Sequence, residues 1–122
     1  MRKGAAYREE RPLEPYRLTY NAWRYSLEVT VIRSFKDSET EALFAGRFSR
    51  RLQQLARVAQ RNLQQLHAAR ELRDLSAFPG NRLEALAGYR RGQHSIRVND
   101  QYRICFVWKD GDAEDVEIVD YH

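Results

Sequence analysis

Hydrophobic and polar positions change their spacing near residue 31 of this 122-residue chain. Residues 1 to 30 show no sustained period of two or 3.6, and they contain two of the three prolines and four of the seven tyrosines. We expect them to form a poorly ordered N-terminal extension, with a strand through "RYSLEVTVIRSF" as the alternative. Residues 31 to 122 then form a single folded domain.

The first part of that domain shows helical spacing. "VIRSF" predicts a short strand, and "DSETEALFAG" predicts a short helix with Asp37 or Ser38 as N-cap and Gly46 as its stop. From about Ser49 to Ala69 the hydrophobic residues recur at helical spacing, which predicts a long amphipathic helix with one buried stripe. The stripe comprises Leu52, Leu55, Ala59, Leu63 and Leu66.

After "FPGNR" the spacing changes to a period of two. "RLEAL", "QHSIRV", "YRICFVWK" and "DVEIVDYH" are short β-rich runs separated by glycines, by "ND" and by "DGD". Turns this short join antiparallel strands. The chain is therefore predicted to have an α+β fold, in which a first strand is followed by two helices that pack on one face of a mainly antiparallel sheet.

Composition narrows the class of protein. Hydrophobic residues make up 43% of the chain, charged residues make up 31%, and no apolar run approaches the roughly 20 residues that span a bilayer. No secretory signal is recognisable, so we expect a soluble cytoplasmic protein that does not contact membranes. Cys105 is the only cysteine, which excludes an internal disulfide, and we expect it to pack as a small hydrophobe.

Charge is unevenly distributed around a formal total of +4. The range from Arg47 to Arg73 contains seven arginines and one acid, whereas Asp110 to Asp120 contains six acids and no base. Arg50, Arg57 and Arg61 fall on the side of the long helix opposite its buried stripe. They form either a nucleic-acid contact or a solvated helix face.

The candidate chemistry lies on the predicted strands. The three histidines show no metal-ligand spacing, so neither a metal nor another cofactor is expected. Arg103 lies inside the apolar run "QYRICFVW", where a guanidinium needs an anionic partner: either a carboxylate such as Asp120 or a phosphate. Alternation places Ser95 and Arg97 on one face of the preceding strand. Glu84 is either a solvent-side residue or a carboxylate on the same concave face.

Several segments resemble one family. "AARELRDL", "GNRLEALAGYRRGQHSIRVNDQYRICFVW" and the terminal "VEIVDYH" are similar to the HigB-like, or plasmid-maintenance killer, branch of the RelE toxin superfamily. The resemblance covers Val31 to His122 and implies a RelE/ParE-like fold similar to small ribonucleases. It also implies ribosome-dependent cleavage of messenger RNA. Relatives begin at about "MIRSF", so residues 1 to 30 can also be a start-site artefact ahead of Val31.

The resemblance assigns roles to individual residues. Arg103 matches the arginine that holds the scissile phosphate, Tyr121 and His122 match the terminal Tyr-His pair, and Glu84 falls where a related branch has its base. Another branch has a histidine and a lysine in that segment, so the identity of the base stays open. Metal-independent cleavage then needs a base, a cation and an acid, which are Glu84, Arg103 and His122. The expected RNA contacts are Arg97, Gln101, Arg82, Arg50, Arg57 and Arg61.

The resemblance also implies partners. A HigA-like helix-turn-helix antitoxin would neutralise the toxin, and the complex would bind operator DNA only through the antitoxin. The ribosome and messenger RNA are the other expected partners. Two alternatives stay open: a ParE-like inhibitor of DNA gyrase and a non-catalytic basic RNA-binding or ribosome-binding module.

Overall fold

The computed structural model describes residues 32–121 of the chain. The predicted N-terminal extension and His122 lie outside this range. The helices and strands within it are α1 Ser38–Phe44, α2 Ala56–Ala68, β1 Glu84–Ala85, β2 Gln93–Arg97, β3 Tyr102–Lys109 and β4 Asp112–Asp120. Short 3₁₀ turns occupy Gln53–Leu55, Leu72–Ala77, Pro79–Asn81 and Gly88–Arg90.

The sheet has the strand order β1-β2-β3-β4, and each pair of neighbours is antiparallel. Asp110 and Gly111 join β3 to β4 with φ values of 51° and 83°, the left-handed pair that a type I′ hairpin turn requires. The predicted α+β class and the antiparallel pairing are confirmed. The predicted strand "RLEAL" is reduced to Glu84 and Ala85, and its first residue, Arg82, adopts a left-handed φ of 45° that does not fit a strand.

The segment predicted as a first strand runs beside β4 without forming a regular strand. Ile32 and Phe35 make isolated parallel bridges with Ala113 and Val116. The amide of Val116 donates to the Ser34 carbonyl at 3.0 Å. The segment therefore covers part of the β4 edge, which would otherwise present unpaired backbone groups.

The short helix α1 forms as predicted. Asp37 is its N-cap residue, and Gly46 ends it with a φ of 84°. The amide of Arg47 donates to the Ala42 carbonyl at 2.8 Å, and that of Gly46 donates to the Leu43 carbonyl at 3.0 Å. This is the Schellman arrangement, in which glycine tolerates the left-handed conformation that closes the helix.

The long helix is shorter than predicted, because its expected first residues are bound to α1. Ser49 Oγ donates to Glu39 Oε2 at 3.2 Å and accepts from the Leu52 amide at 3.3 Å. Arg51 Nε donates to Glu39 Oε1 at 2.5 Å, which holds the pKa of that carboxyl below its ordinary value. These contacts shape residues 49–52 as a turn, so α2 begins only at Ala56.

The hydrophobic core lies between the helices and one face of the sheet. The whole predicted stripe is buried, from Leu52 and Leu55 ahead of α2 to Leu66 near its end. It packs against Ile96, Ile104, Phe106 and Ile118, which face it from the three longer strands. No helix within residues 32–121 has the length and apolar character needed to cross a bilayer.

Candidate active site

The face of the sheet turned away from the core carries the candidate chemistry. Residues directly opposite one another on antiparallel strands share a face, and Ser95 lies opposite Cys105 while Arg97 lies opposite Arg103. Ile96 is buried in the core between Ser95 and Arg97. The prediction that Ser95 and Arg97 share a face is confirmed. We call this side of the sheet the polar face.

Arg103 is held on the polar face by neutral oxygen atoms. Its Nε donates to Ser95 Oγ at 2.6 Å, and its Nη2 donates to the Arg82 carbonyl at 2.6 Å. A longer contact of 3.4 Å joins Nη2 to the Ser95 carbonyl. Within residues 32–121 the guanidinium forms no ion pair, and its Nη1 donates no hydrogen bond. Its orientation is therefore fixed while its positive charge is not compensated by that part of the chain.

Asp120, the carboxylate considered as a partner of Arg103, lies on the other face of the sheet. Arg103 is opposite Val119, whereas Asp120 is opposite Tyr102. Asp120 Oδ2 accepts instead from Gln101 Nε2 at 3.0 Å. The alternative that Asp120 is the partner of Arg103 is therefore wrong. Alternation along β4 directs the Asp120 side chain to the face opposite that of Arg103.

Tyr121 comes close to Arg103 at the end of the sheet, and its backbone is hydrogen-bonded to Gln101. The guanidinium carbon of Arg103 lies 5.9 Å from the centre of the Tyr121 ring, within the range of a cation–π contact. The Tyr121 amide donates to the Gln101 carbonyl at 2.7 Å. Tyr121 is 37% exposed, so part of the residue remains accessible.

Arg82 contributes through its backbone. Its left-handed φ of 45° is uncommon for a residue with a side chain, and this conformation accompanies the carbonyl contact with Arg103. The Arg82 side chain is exposed, and its predicted contact with RNA stays a prediction. The role of the Arg82 carbonyl was missed from the sequence, because nothing in "GNRLEAL" indicates a left-handed arginine.

Glu84 and Arg97 lie near Arg103 with different local environments. Glu84 is exposed and opposite Ser95, which places it on the polar face. Arg97 Nη2 donates to Asp100 Oδ1 at 2.5 Å, and the Asp100 carboxylate is fully exposed. An ion pair with so exposed a partner is weak, so Arg97 can exchange Asp100 for another anion.

The three predicted helix arginines are all exposed but do not act as one stripe. Arg57 and Arg61 lie on α2, whereas Arg50 precedes α2 and lies in the turn that contacts Glu39 of α1. Arg61 and Arg97 line a common pocket of about 220 Å³. Tertiary structure thus brings one of the three arginines to the polar residues of the sheet.

The other end of the polar face is closed by paired charges. Arg90 Nη1 donates to Glu117 Oε2 at 3.1 Å, and both side chains are less than a fifth exposed. Cys105 lies opposite Glu117 and is fully buried, as predicted, and burial raises the pKa of its thiol. Within residues 32–121 no cluster of three histidine, cysteine or acidic side chains could hold a metal ion.

Two helices on one side of an antiparallel sheet and an arginine site on the other are the plan of a small RelE-like toxin. The family model of the RelE-like toxin of type II toxin–antitoxin system HigB matches residues 33–122. The chain belongs to this family. It is also 53% identical over 53 residues to toxin HigB-1 of Vibrio cholerae serotype O1. That match covers 43% of this chain and 56% of the relative, so the chain spans little more than half of that protein's length.

Proposed function

We propose that this toxin is a ribosome-dependent endoribonuclease that cleaves messenger RNA during translation. Membership of the HigB family supports a toxin that acts with an antitoxin. The observation that carries the proposed chemistry is the state of Arg103: its guanidinium is fixed by neutral oxygens, and it forms no ion pair within residues 32–121. A phosphate is the anion that such a group fits, since the guanidinium fork can donate two parallel hydrogen bonds to phosphate oxygens.

The reaction needs three protein groups. The 2′-hydroxyl of RNA is the nucleophile, so a base removes its proton, a cation stabilises the charge that develops on the phosphorus oxygens, and an acid protonates the leaving 5′-oxygen. Arg103 supplies the cation. His122 follows Tyr121 directly in the chain and supplies the acid as its imidazolium.

Glu84 is the proposed base, and its position supports this role in part. It lies on the polar face opposite Ser95, whose hydroxyl contacts Arg103. Its exposure leaves it accessible to a substrate. Within residues 32–121 no hydrogen bond or ion pair fixes the exposed Glu84 side chain, so we expect Glu84→Gln to reduce cleavage less than changes at Arg103 or His122 do.

Tyr121 and Gln101 are proposed to orient the RNA. The accessible Tyr121 ring can stack on a base beside the scissile phosphate, a common mode of single-stranded RNA recognition. The proposed partners are a HigA-like antitoxin with a helix-turn-helix motif, the ribosome and messenger RNA, all in the cytoplasm. Operator DNA would be bound through the antitoxin.

Mapping of RNA ends in cells tests this proposal. Brief induction of the parent toxin should give cuts within translated messages, and an inhibitor of translation should abolish them. Arg103→Ala and His122→Ala should each lose most of this cleavage, whereas Arg73→Ala, an exposed arginine elsewhere on the surface, should retain it. Cuts that persist without translation would contradict ribosome dependence.

Two further outcomes identify the alternatives. Inhibition of gyrase supercoiling without any RNA cuts would indicate a ParE-like function. Inhibition of translation without cuts, and with full activity of His122→Ala, would indicate a non-catalytic module that binds the ribosome.

A further inference from the structure

A pocket of about 220 Å³ lies beside the Arg103 site, between α2 and the Pro79–Asn81 turn. It adjoins the site through the backbone: Asn81 lines the pocket, and the carbonyl of the next residue, Arg82, accepts from Arg103. Its volume is below the roughly 300–1,000 Å³ of pockets that hold drug-sized ligands. A single base or sugar ring is of the appropriate size.

The charge of the pocket is positive. Arg61 lines it from α2 and Arg97 lines it from the end of β2, and no acidic residue is among its lining residues. Arg61 forms no ion pair within residues 32–121, and the one carboxylate paired with Arg97 is the exposed Asp100. Two arginines on one small pocket therefore remain available to an anionic ligand.

The pocket also presents neutral hydrogen-bonding groups. Asn62 and Asn81 are buried, and their side-chain nitrogens donate to the Arg97 carbonyl at 3.0 Å and to the Leu75 carbonyl at 3.1 Å. Gln65 Oε1 accepts from Asn81 Nδ2 at 3.2 Å, which fixes the amide and leaves its Nε2 without an acceptor in residues 32–121. Fixed amide groups with a spare donor can read the edge of a base.

An aromatic wall completes the pocket. Phe78 and Pro79 line it, and Phe78 is 42% exposed although it is a large hydrophobic residue. The core therefore accounts for only part of this ring. Exposed aromatic rings next to arginines form the stacking surfaces with which proteins bind single-stranded RNA.

From these contacts we infer that the pocket binds one nucleotide of the RNA strand adjacent to the phosphate at Arg103. The base stacks on Phe78 and contacts Gln65, and a flanking phosphate is bound by Arg61 and Arg97. The inference rests on the proposed function for its position along the cleaved strand, whereas nucleotide binding by the pocket does not depend on cleavage.

An RNA nucleotide fits these observations better than a peptide of the antitoxin. An acidic side chain of a partner could pair with either arginine, but it would not account for an exposed ring and an amide with a spare donor that line the same pocket. The antitoxin is nevertheless one outcome of the tests.

Binding is tested first without the ribosome. The four nucleoside 3′-monophosphates are titrated into the isotope-labelled full-length toxin, and amide signals are followed by NMR. We expect shifts at the side-chain amide of Gln65 and at Gly80, with a preference for some of the four bases. Phe78→Leu should weaken binding by roughly 5- to 100-fold, the effect of losing one base–aromatic stack. Phe78→Tyr, which keeps the ring, should bind like the parent.

Matched controls separate the pocket from general charge and surface effects. Arg61→Gln should weaken binding, whereas Arg47→Gln, at an exposed arginine outside the pocket lining, should not. Phe48→Ala removes another exposed ring, 73% accessible, and should have no effect. Equal losses in the pocket and control variants would overturn the inference.

The cleavage sites provide the second test. Phe78→Leu should still cut translated messages but with a weaker base preference at one position next to the cut, whereas Phe78→Tyr should keep the parental pattern. Shifts in the pocket without any RNA cleavage by the parent would reject the proposed function and retain the nucleotide site. Cleavage with an unchanged pattern in Phe78→Leu and no shifts in the pocket would reject the site alone. If the pocket variants escape the antitoxin while nucleotide binding and cut pattern stay parental, the surface is an antitoxin contact and the inference is wrong.

Discussion

Arg90 and Arg103 are two arginines of the polar face, and their surroundings differ. Arg90 donates to the Glu117 carboxylate, and the two side chains are 16% and 18% exposed. Burial is the largest single influence on the pKa of Arg90 and lowers it, but the hydrogen bond to Glu117, the negative charge of that carboxylate and smaller neighbouring effects together outweigh burial, so that the net shift is upward. Arg103 is bound by a hydroxyl and by carbonyls, none of which neutralises its charge.

The difference separates a structural arginine from one that is available to a ligand. A carboxylate partner both orients an arginine and compensates its charge, whereas neutral acceptors orient it and leave the charge for another anion. One end of the polar face is thus closed by an internal ion pair. The other end presents an oriented cation, which our proposal assigns to a phosphate.

The largest expected effect is the loss of RNA cleavage in the Arg103→Ala variant. Loss of a fixed cation that stabilises developing negative charge should reduce the cleavage rate by about 10²- to 10³-fold. Arg90→Ala should cut within a few-fold of the parent at a temperature where both are folded, because Arg90 is satisfied within the protein. Primer extension on a message translated in vitro measures both. Equal losses in the two variants would remove the distinction between them.

The second largest effect is a loss of stability in the Arg90→Ala variant. Arg90→Ala leaves the Glu117 carboxylate with Lys36 alone, whose Nζ is 3.8 Å away and exposed. The free energy of unfolding should fall by about 1–3 kcal/mol, as measured by urea denaturation. The double variant Arg90→Ala, Glu117→Gln should lose less than the sum of the single changes, since it leaves no unpaired charge. Additive losses would show that the pair does not stabilise the fold.

A smaller effect is expected for Ser95→Ala. Ser95 is fully buried, and its hydroxyl accepts from Arg103 Nε, so its removal frees the guanidinium to turn. Cleavage should fall about tenfold, which corresponds to one hydrogen bond of about 1.4 kcal/mol. In an Arg103→Ala background the same change should have no further effect on cleavage. A full tenfold loss in that background would show that Ser95 acts independently of Arg103.

The smallest effect is the pH dependence that Cys105 contributes. Burial raises the pKa of this thiol above its ordinary value of 9.0, so the folded protein favours the neutral thiol. The contribution of this neutral thiol to the free energy of unfolding is complete below pH 9. It is lost as the pH rises, because Cys105 loses its proton at a lower pH in the unfolded chain than in the folded protein. Unfolding free energies measured between pH 7 and 10 should fall less steeply in Cys105→Ala. Identical pH profiles would show that Cys105 does not titrate in this range.

The sequence predicted the parts of the fold that depend on local spacing. The buried stripe of α2, the Gly46 stop and the antiparallel strands follow from periods of 3.6 and two, and each is confirmed. The predicted start of α2 was wrong. Ser49 and Arg51 bind Glu39, which lies 10 and 12 positions away from them in the chain. Such contacts compete with the helix and leave no trace in its hydrophobic pattern.

The candidate site was predicted as a set of residue types on neighbouring strands, without their pairing. Arg103 could be identified because a guanidinium inside an apolar strand is costly unless it has a partner. Its partner could not be chosen between Asp120 and a ligand, because that choice depends on which β4 residue lies opposite Arg103. The pocket of Arg61 and Arg97 was missed, since its walls come from a helix, a turn and a strand end far apart in the chain.

The sequence by itself determined the class of this protein: an α+β domain whose β3 carries an arginine in an apolar run, with the segments of a HigB toxin. It could do so because periodicity and motifs are local properties, which short-range sterics and burial translate directly into helices and strands. Only the tertiary structure decided that, within residues 32–121, Arg90 is paired with a carboxylate and Arg103 is not, since ion pairing depends on a register of single residues across strands. A shift of one residue along β4 would direct Glu117 away from Arg90 and Asp120 toward Arg103, and would exchange the roles of the two arginines.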